Sequence, residues 1–520
     1  MFHFLFTFLF LRAAFASSCD AEPLVLPLQD VQVLPDVPNS YMKGVAAEIG
    51  TPPQNLVLLP WADLNNTWIY DKEPYCKDQG IPNDATCDVR RGGLFSERES
   101  MSFVNENDIV KAGGAPTETF FKGGQYGVRN LVKSANGAID IFKLKGSEEL
   151  EDFPFGIRTS KWDDTFTTLS PLGLGRNSTY LNALRKAGKI SSRVWSIFWG
   201  RMWIKEPLDG SLVLGGYDEK KAVGANYTAP LVYGDFDGKD GCWTGMRVTL
   251  TDIQINYLGG TNVSIFPKGT TLQCCIDPAN HLLLEAPTPY VRNFESISGL
   301  ETNYSSSAIH WNALQAGLEK QFLADLTFHL DSGLRIRVPN NQYMVPFIDI
   351  APNGSRTTDS SKRDILITDV EDEPPILGRC FLAAAYLMVN HDAGTFTLWQ
   401  ANATSEKSLV RVFDQEMGKK CENATGVIQP SASEGSRPDG ETGSKSSALS
   451  GAVIGGAVVG AVAGAVLIGM GVAYFFTKKK RRANTYYHYP ALEELRRAEV
   501  YEIDGSTRAD DESYMKAGIR

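Results

Sequence analysis

Apolar and polar residues alternate in short runs over most of this chain, and long helical periodicities are scarce. Segments such as 210–216 (GSLVLGG) and 365–370 (ILITDV) are typical, a few aliphatic residues bounded by Gly, Asn, Asp or Pro. That spacing predicts strands joined by turns. Helices are predicted over 180–188 and 311–325. From residue 20 to about 423 the pattern describes a mainly β body, large enough to be bilobal.

Two apolar runs interrupt it. Residues 1–11 are nearly all Phe and Leu and are followed by Ala14-Phe15-Ala16, a small-x-small cleavage pattern, so 1–16 reads as a signal peptide. No charged residue occurs over 446–477, and the stretch 448–477 is long enough to cross a bilayer as one transmembrane helix. Five consecutive Lys and Arg residues (478–482) follow it and predict a cytoplasmic tail, 478–520. The expected topology is a single-pass type I membrane protein of the secretory pathway, resident at the cell surface or in a vacuole-like compartment. Gly456, Gly460 and Gly464 form a small-xxx-small face in the span, through which a homodimer is expected.

Composition sharpens this outline. The chain has 520 residues, is 43% hydrophobic and carries a formal charge of −10, so a large core is available and nucleic-acid binding is not expected. The tail holds ten Lys or Arg against eight Asp or Glu, which puts the acidity in the ectodomain. Residues 404–447 read as a C-terminal extension and a flexible stalk rich in Ser, Gly, Pro and Glu. Eight glycosylation sequons, at Asn65, Asn177, Asn226, Asn262, Asn303, Asn353, Asn402 and Asn423, all lie between the two apolar runs. Eight Cys suit a secreted domain with a few disulfides. The six His show no metal-ligand spacing, and there is no H-E-x-x-H, Walker A, C-x-x-C or G-x-S-x-G motif, so no metal or organic cofactor is implied.

Five segments, in order across 40–403, carry a resemblance to a known family. They are KGVAAEIGTPPQ (43–54), LGLG (172–175), VWSIF (194–198), the hairpin 210–218, and ILGRCFL (376–382) with AYLMV (385–389). Together they resemble the pepsin-like aspartic peptidases. The resemblance implies a bilobal pepsin-like (acid protease) fold over 40–403, preceded by a short N-terminal segment at 17–39. It also implies a disulfide between Cys76 and Cys87, and Tyr126, in a Tyr-Gly pair, as a flap residue. Cys275 is expected to pair within the second lobe, with Cys242 or Cys380.

That family's chemistry needs two Asp-Thr/Ser-Gly loops facing each other. Their carboxyls share one proton and polarise a water, Gly allows a tight turn, and the hydroxyls tie the loops together. Counting from the Pro-Pro turn to Trp68, Trp61 stands at the first Asp position, Ala62 at the hydroxyl and Asp63 at the Gly. The expectation for Asp63 is a solvated or turn-capping side chain. In the second loop Asp277 is kept, but Pro278 replaces the hydroxyl residue and Ala279 the Gly. A family member without activity is expected, whose cleft binds an extended peptide or cell-surface polymer. The alternatives are an active or residually active aspartic endopeptidase and a structural or adhesive surface glycoprotein.

Overall fold

The computed structural model describes residues 19, 21–72, 84–116, 118, 135–158, 169–236, 241–302, 304–317, 322–371 and 373–425. Residues 1–16, the run 448–477, the tail, Cys76, Tyr126 and Asn303 lie outside them. Among the described residues no helix is long and apolar enough to cross a membrane.

The body is mainly β, in mixed sheets. Its middle is a run of six neighbouring strands drawn from distant parts of the chain. In order these are Ala222–Pro230, Thr395–Ala401, Ala385–Asn390, Val194–Arg201, Leu208–Leu214 and Leu24–Gln32. Every residue of Val194–Arg201 except the last is buried, as a strand covered on both faces must be. Gly215, in the left-handed region at φ 79°, breaks the hairpin strand before Gly216–Asp218.

On either side of this run the chain builds the same device. In the first half, Gln54–Trp61 lies parallel to Ser170–Gly173, with Trp61 opposite Gly173. In the second, Leu272–Asp277 lies parallel to Ile376–Gly378, with Asp277 opposite Gly378. Both glycines are there because of close approach: a Cβ on Gly173 would strike the Asn66 carbonyl, and one on Gly378 the Leu282 carbonyl.

The helix expected over 180–188 is present as Thr179–Lys186, capped by Ser178, whose side chain accepts from the Leu181 N–H. The helix expected over 311–325 is not. Leu314–Gly317 and Ala324–Leu330 are strands, because pairing with Arg356–Ile365 and Arg247–Tyr257 outweighs a weak local helical pattern. A helix that the pattern did not reveal, Thr288–Ser298, starts with Pro in its first turn and ends at Gly299 in the left-handed conformation.

The C-terminal extension belongs to the folded body. Leu409–Arg411 pairs with Gly216–Asp218, Arg185 forms an ion pair with Asp414, and the helix Gln415–Thr425 carries Cys421, which is disulfide-bonded to Cys19.

Candidate functional site

The equivalent strand registers fix what stands at the centre. Trp61 occupies in the first half the place that Asp277 occupies in the second, so an indole stands where the second half has a carboxyl. Trp61 is 1% exposed and belongs to the main core, as does Ala62. Neither ionises and neither carries a hydroxyl.

Asp277 is 1% exposed. Its Oδ1 accepts from the Ala279 N–H at 2.9 Å and its Oδ2 from Trp243 Nε1 at 3.2 Å. Burial pushes its pKa up, while these two bonds and the Arg379 charge work against that. Trp243 is held in place covalently: Cys242, beside it, is disulfide-bonded to Cys275, two residues before Asp277, with Cα atoms 5.9 Å apart. Thr244 adds a bond to the Ile276 carbonyl at 2.7 Å. Of the two partners expected for Cys275, then, Cys242 is the one; Cys380 and Cys274 are free and buried. Cys87 is disulfide-bonded, and its implied partner Cys76 lies outside the described residues.

Asp63 differs from the expectation of a solvated or turn-capping side chain. Its Oδ1 is sealed from solvent and has no hydrogen-bond partner. Burial pushes its carboxyl well above the usual carboxylate range, and the charge of Asp277 pushes it further. The charge of Asp277 thus reaches the Asp63 carboxyl. Its sequence position concealed this, since a gapped register that puts Asp63 in the acid's place reads Asp63-Leu64-Asn65 and restores neither the hydroxyl nor the Gly.

The loop that carries Trp61 and Asp63 is fixed by a residue with no motif signal. Glu118, 5% exposed, accepts the backbone N–H groups of Asn65 at 2.8 Å and Asn66 at 2.8 Å, and Asn66 Nδ2 at 3.1 Å. Asn66 is buried and also accepts from the Thr179 hydroxyl at 2.6 Å. The Asn65 amide oxygen accepts from the Asn177 N–H at 2.8 Å, and the sequon Thr67 is 1% exposed. Asn177, Asn226, Asn262 and Asn353 are exposed; Asn402 is half-buried and donates to the Lys220 carbonyl at 2.9 Å.

Around the second loop the polar groups are satisfied. His281 Nε2 donates to the Trp311 carbonyl at 2.7 Å, and burial holds its pKa down to about 3, so it is a neutral structural histidine. Glu285 accepts from Asn280 Nδ2 at 2.7 Å and is pushed up to about 7 by burial. Arg379 donates to the Ala279 carbonyl at 3.2 Å and lies over the Trp199 ring at 5.3 Å. Among the described residues no cluster of three His, Cys, Asp or Glu is placed to hold a metal ion. A cavity of about 430 Å³, lined in part by Val31, Ala46, Leu56, Lys143 and Lys145, shares no residue with this centre.

The match with known proteins falls on the same frame. Residues 166–401 match the family model described as eukaryotic aspartyl protease, a stretch that contains the Asp277 loop and begins after Trp61. With the five ordered motifs and the paired strand registers, this match supports a pepsin-like aspartic peptidase family member.

Proposed function

We propose that the protein is a membrane-anchored homologue of the pepsin-like peptidases that binds an extended peptide or cell-surface polymer between its two loops and does not cleave it. The observation that carries this reading is the buried indole of Trp61 at the register position opposite Gly173, where Asp277's counterpart would be. An indole can neither take a proton from water nor share one with Asp277. The hydroxyl ties are also missing, since Ala62 and Pro278 stand in their places, and Trp243 occupies one lone pair of Asp277. The framework around the centre persists, which is what ligand binding requires.

In the same reading a cleaved signal peptide and the span 448–477 make a type I protein of the cell surface or a vacuole-like compartment. The Gly face of the span permits a homodimer, and the exposed sequons carry glycans. A second reading, a residually active aspartic endopeptidase, draws support from the sealed Oδ1 of Asp63, a carboxyl that the charge of Asp277 reaches.

The test is retention of a diverse peptide and glycan pool on the immobilised full-length protein in detergent. Saturable retention of unaltered peptides or glycans is expected. No retention of either class would defeat the reading and leave the adhesive alternative.

A further inference from the structure

A sheet ends in a strand whose outer N–H and C=O groups face no neighbour. Such an edge pairs readily with another chain unless charge, Pro, a bulge or a cover blunts it. The sheets of this protein end in several ways. Trp68–Tyr70, at one end of the thirteen-stranded sheet, is buried along its whole length. Arg335–Val338, at one end of the eight-stranded sheet, turns Ile336 and Val338 inward and leaves Arg335 and Arg337 exposed. Ile367–Val370, at the other end, carries Asp369. Met344–Ile350, which ends the four-stranded sheet, carries Pro346, a register shift after it, and Asp349 paired with Arg90 at 2.8 Å. None of these four strands contains a sequon.

Ala222–Pro230 and Asn262–Ser264 have no charged residue, and each carries one. Ala222–Pro230 forms the other end of the thirteen-stranded sheet. It is nine residues long, roughly 30 Å, and among the described residues it pairs in that sheet only with Thr395–Ala401. Tyr227 and Ala229 pack toward the core, while Asn226, Thr228 and Pro230 are exposed. A register shift between Val223 and Asn226 spoils the first part of this edge. The regular part, 226–230, begins at the asparagine of the sequon Asn226-Tyr227-Thr228. Asn262–Ser264 repeats the arrangement on a smaller scale. It pairs with Arg247–Tyr257 alone among the described strands, exposes Asn262, and is itself the sequon Asn262-Val263-Ser264.

We propose that N-linked glycans on Asn226 and Asn262 guard the uncharged free edges of two sheets and keep copies of this chain from joining strand to strand. Guarding rests on the reading above, that exposed sequons carry glycans, and adds a role for two of them. A glycan is bulky and strongly hydrated. An incoming strand must lie about 4.8 Å from the edge, and an oligosaccharide rooted in the regular run crowds that approach. An outward Arg or Asp blunts an edge by charge, so the charged edges need no sequon.

The experiment uses the full-length protein in detergent, made in a glycosylating eukaryotic host. Peptide mapping by mass spectrometry first reads the occupancy of Asn226. Light scattering then follows size against concentration for wild type, Asn226→Gln and Asn226→Lys. Asn177→Gln, at an exposed sequon outside any strand, is the control. With rising concentration Asn226→Gln is expected to reach roughly twice the wild-type mass or more, with the amides of 226–230 protected from hydrogen exchange in the associated form. Asn226→Lys and Asn177→Gln are expected to keep the wild-type size. The Lys variant also lacks the glycan but restores a charged edge, so it separates guarding from a need for the glycan in folding. An unmodified Asn226 in the wild type overturns both the glycan reading at this site and the guard. An occupied Asn226, with Asn226→Gln no larger than wild type, overturns the guard and leaves the glycan reading standing. Association of both Asn226 variants overturns the guard as well.

Discussion

Glu118 shows how a single side chain can hold a site it does not chemically enter. It accepts two backbone N–H groups of the loop and one amide N–H, all away from water, and an orphaned buried donor costs about 1–3 kcal/mol. Glu118→Ala is therefore expected to lower unfolding stability by about 2–4 kcal/mol in denaturant titration. It should also bring the pKa of Asp63 down, because the Glu118 charge is one of the influences raising it. A loss under about 0.5 kcal/mol would mean that water or another group replaces the clamp. Nothing in the sequence pointed to this residue: it lies more than fifty positions from its partners and matches no motif. Trp61 is the opposite case, since counting between Pro53 and Trp68 located it and the strand register agrees.

At the scale of elements, local pattern found the strands and the fold joined them in ways it could not foretell. The segment around 311–325 has a helical spacing of apolar residues, yet Leu314 and Ala316 are buried on one face of a strand, and the pairing with Arg356–Ile365 decides its form. The extension after residue 403 carries few apolar residues, so its attachment was hard to read. What holds it is a three-residue pairing, the Arg411 bond to the Cys19 carbonyl at 2.7 Å, and the Cys19–Cys421 disulfide. That disulfide closes a loop of 402 residues and so restricts the unfolded chain strongly. Replacing both cysteines by Ser is expected to cost about 2–5 kcal/mol and to make Leu409–Arg411 exchange its amide protons faster than the Leu208–Leu214 strand. Equal exchange in the two strands would show that the pairing holds without the staple.

Over the whole molecule, a two-fold repeated frame encloses a centre that is no longer two-fold. The same parallel pairing ends in Trp61 on one side and Asp277 on the other, and the glycines beneath both loops are kept because backbone passes close to them. The mainly β class was legible because the alternation of apolar and polar positions resides in contiguous residues. The carboxyl environment of Asp63 was not, because it is made by burial and by Asp277, more than two hundred positions away. The Trp243 cap on Asp277 was hidden for a related reason, since only the Cys242–Cys275 pairing brings it there. The central claim is that this centre binds without turnover. The most direct measurement is cleavage of a diverse peptide pool by the full-length protein in detergent, from acidic to neutral pH, beside Asp277→Asn. The account predicts the same, background product in both; cleavage by the wild type that disappears in Asp277→Asn would contradict it.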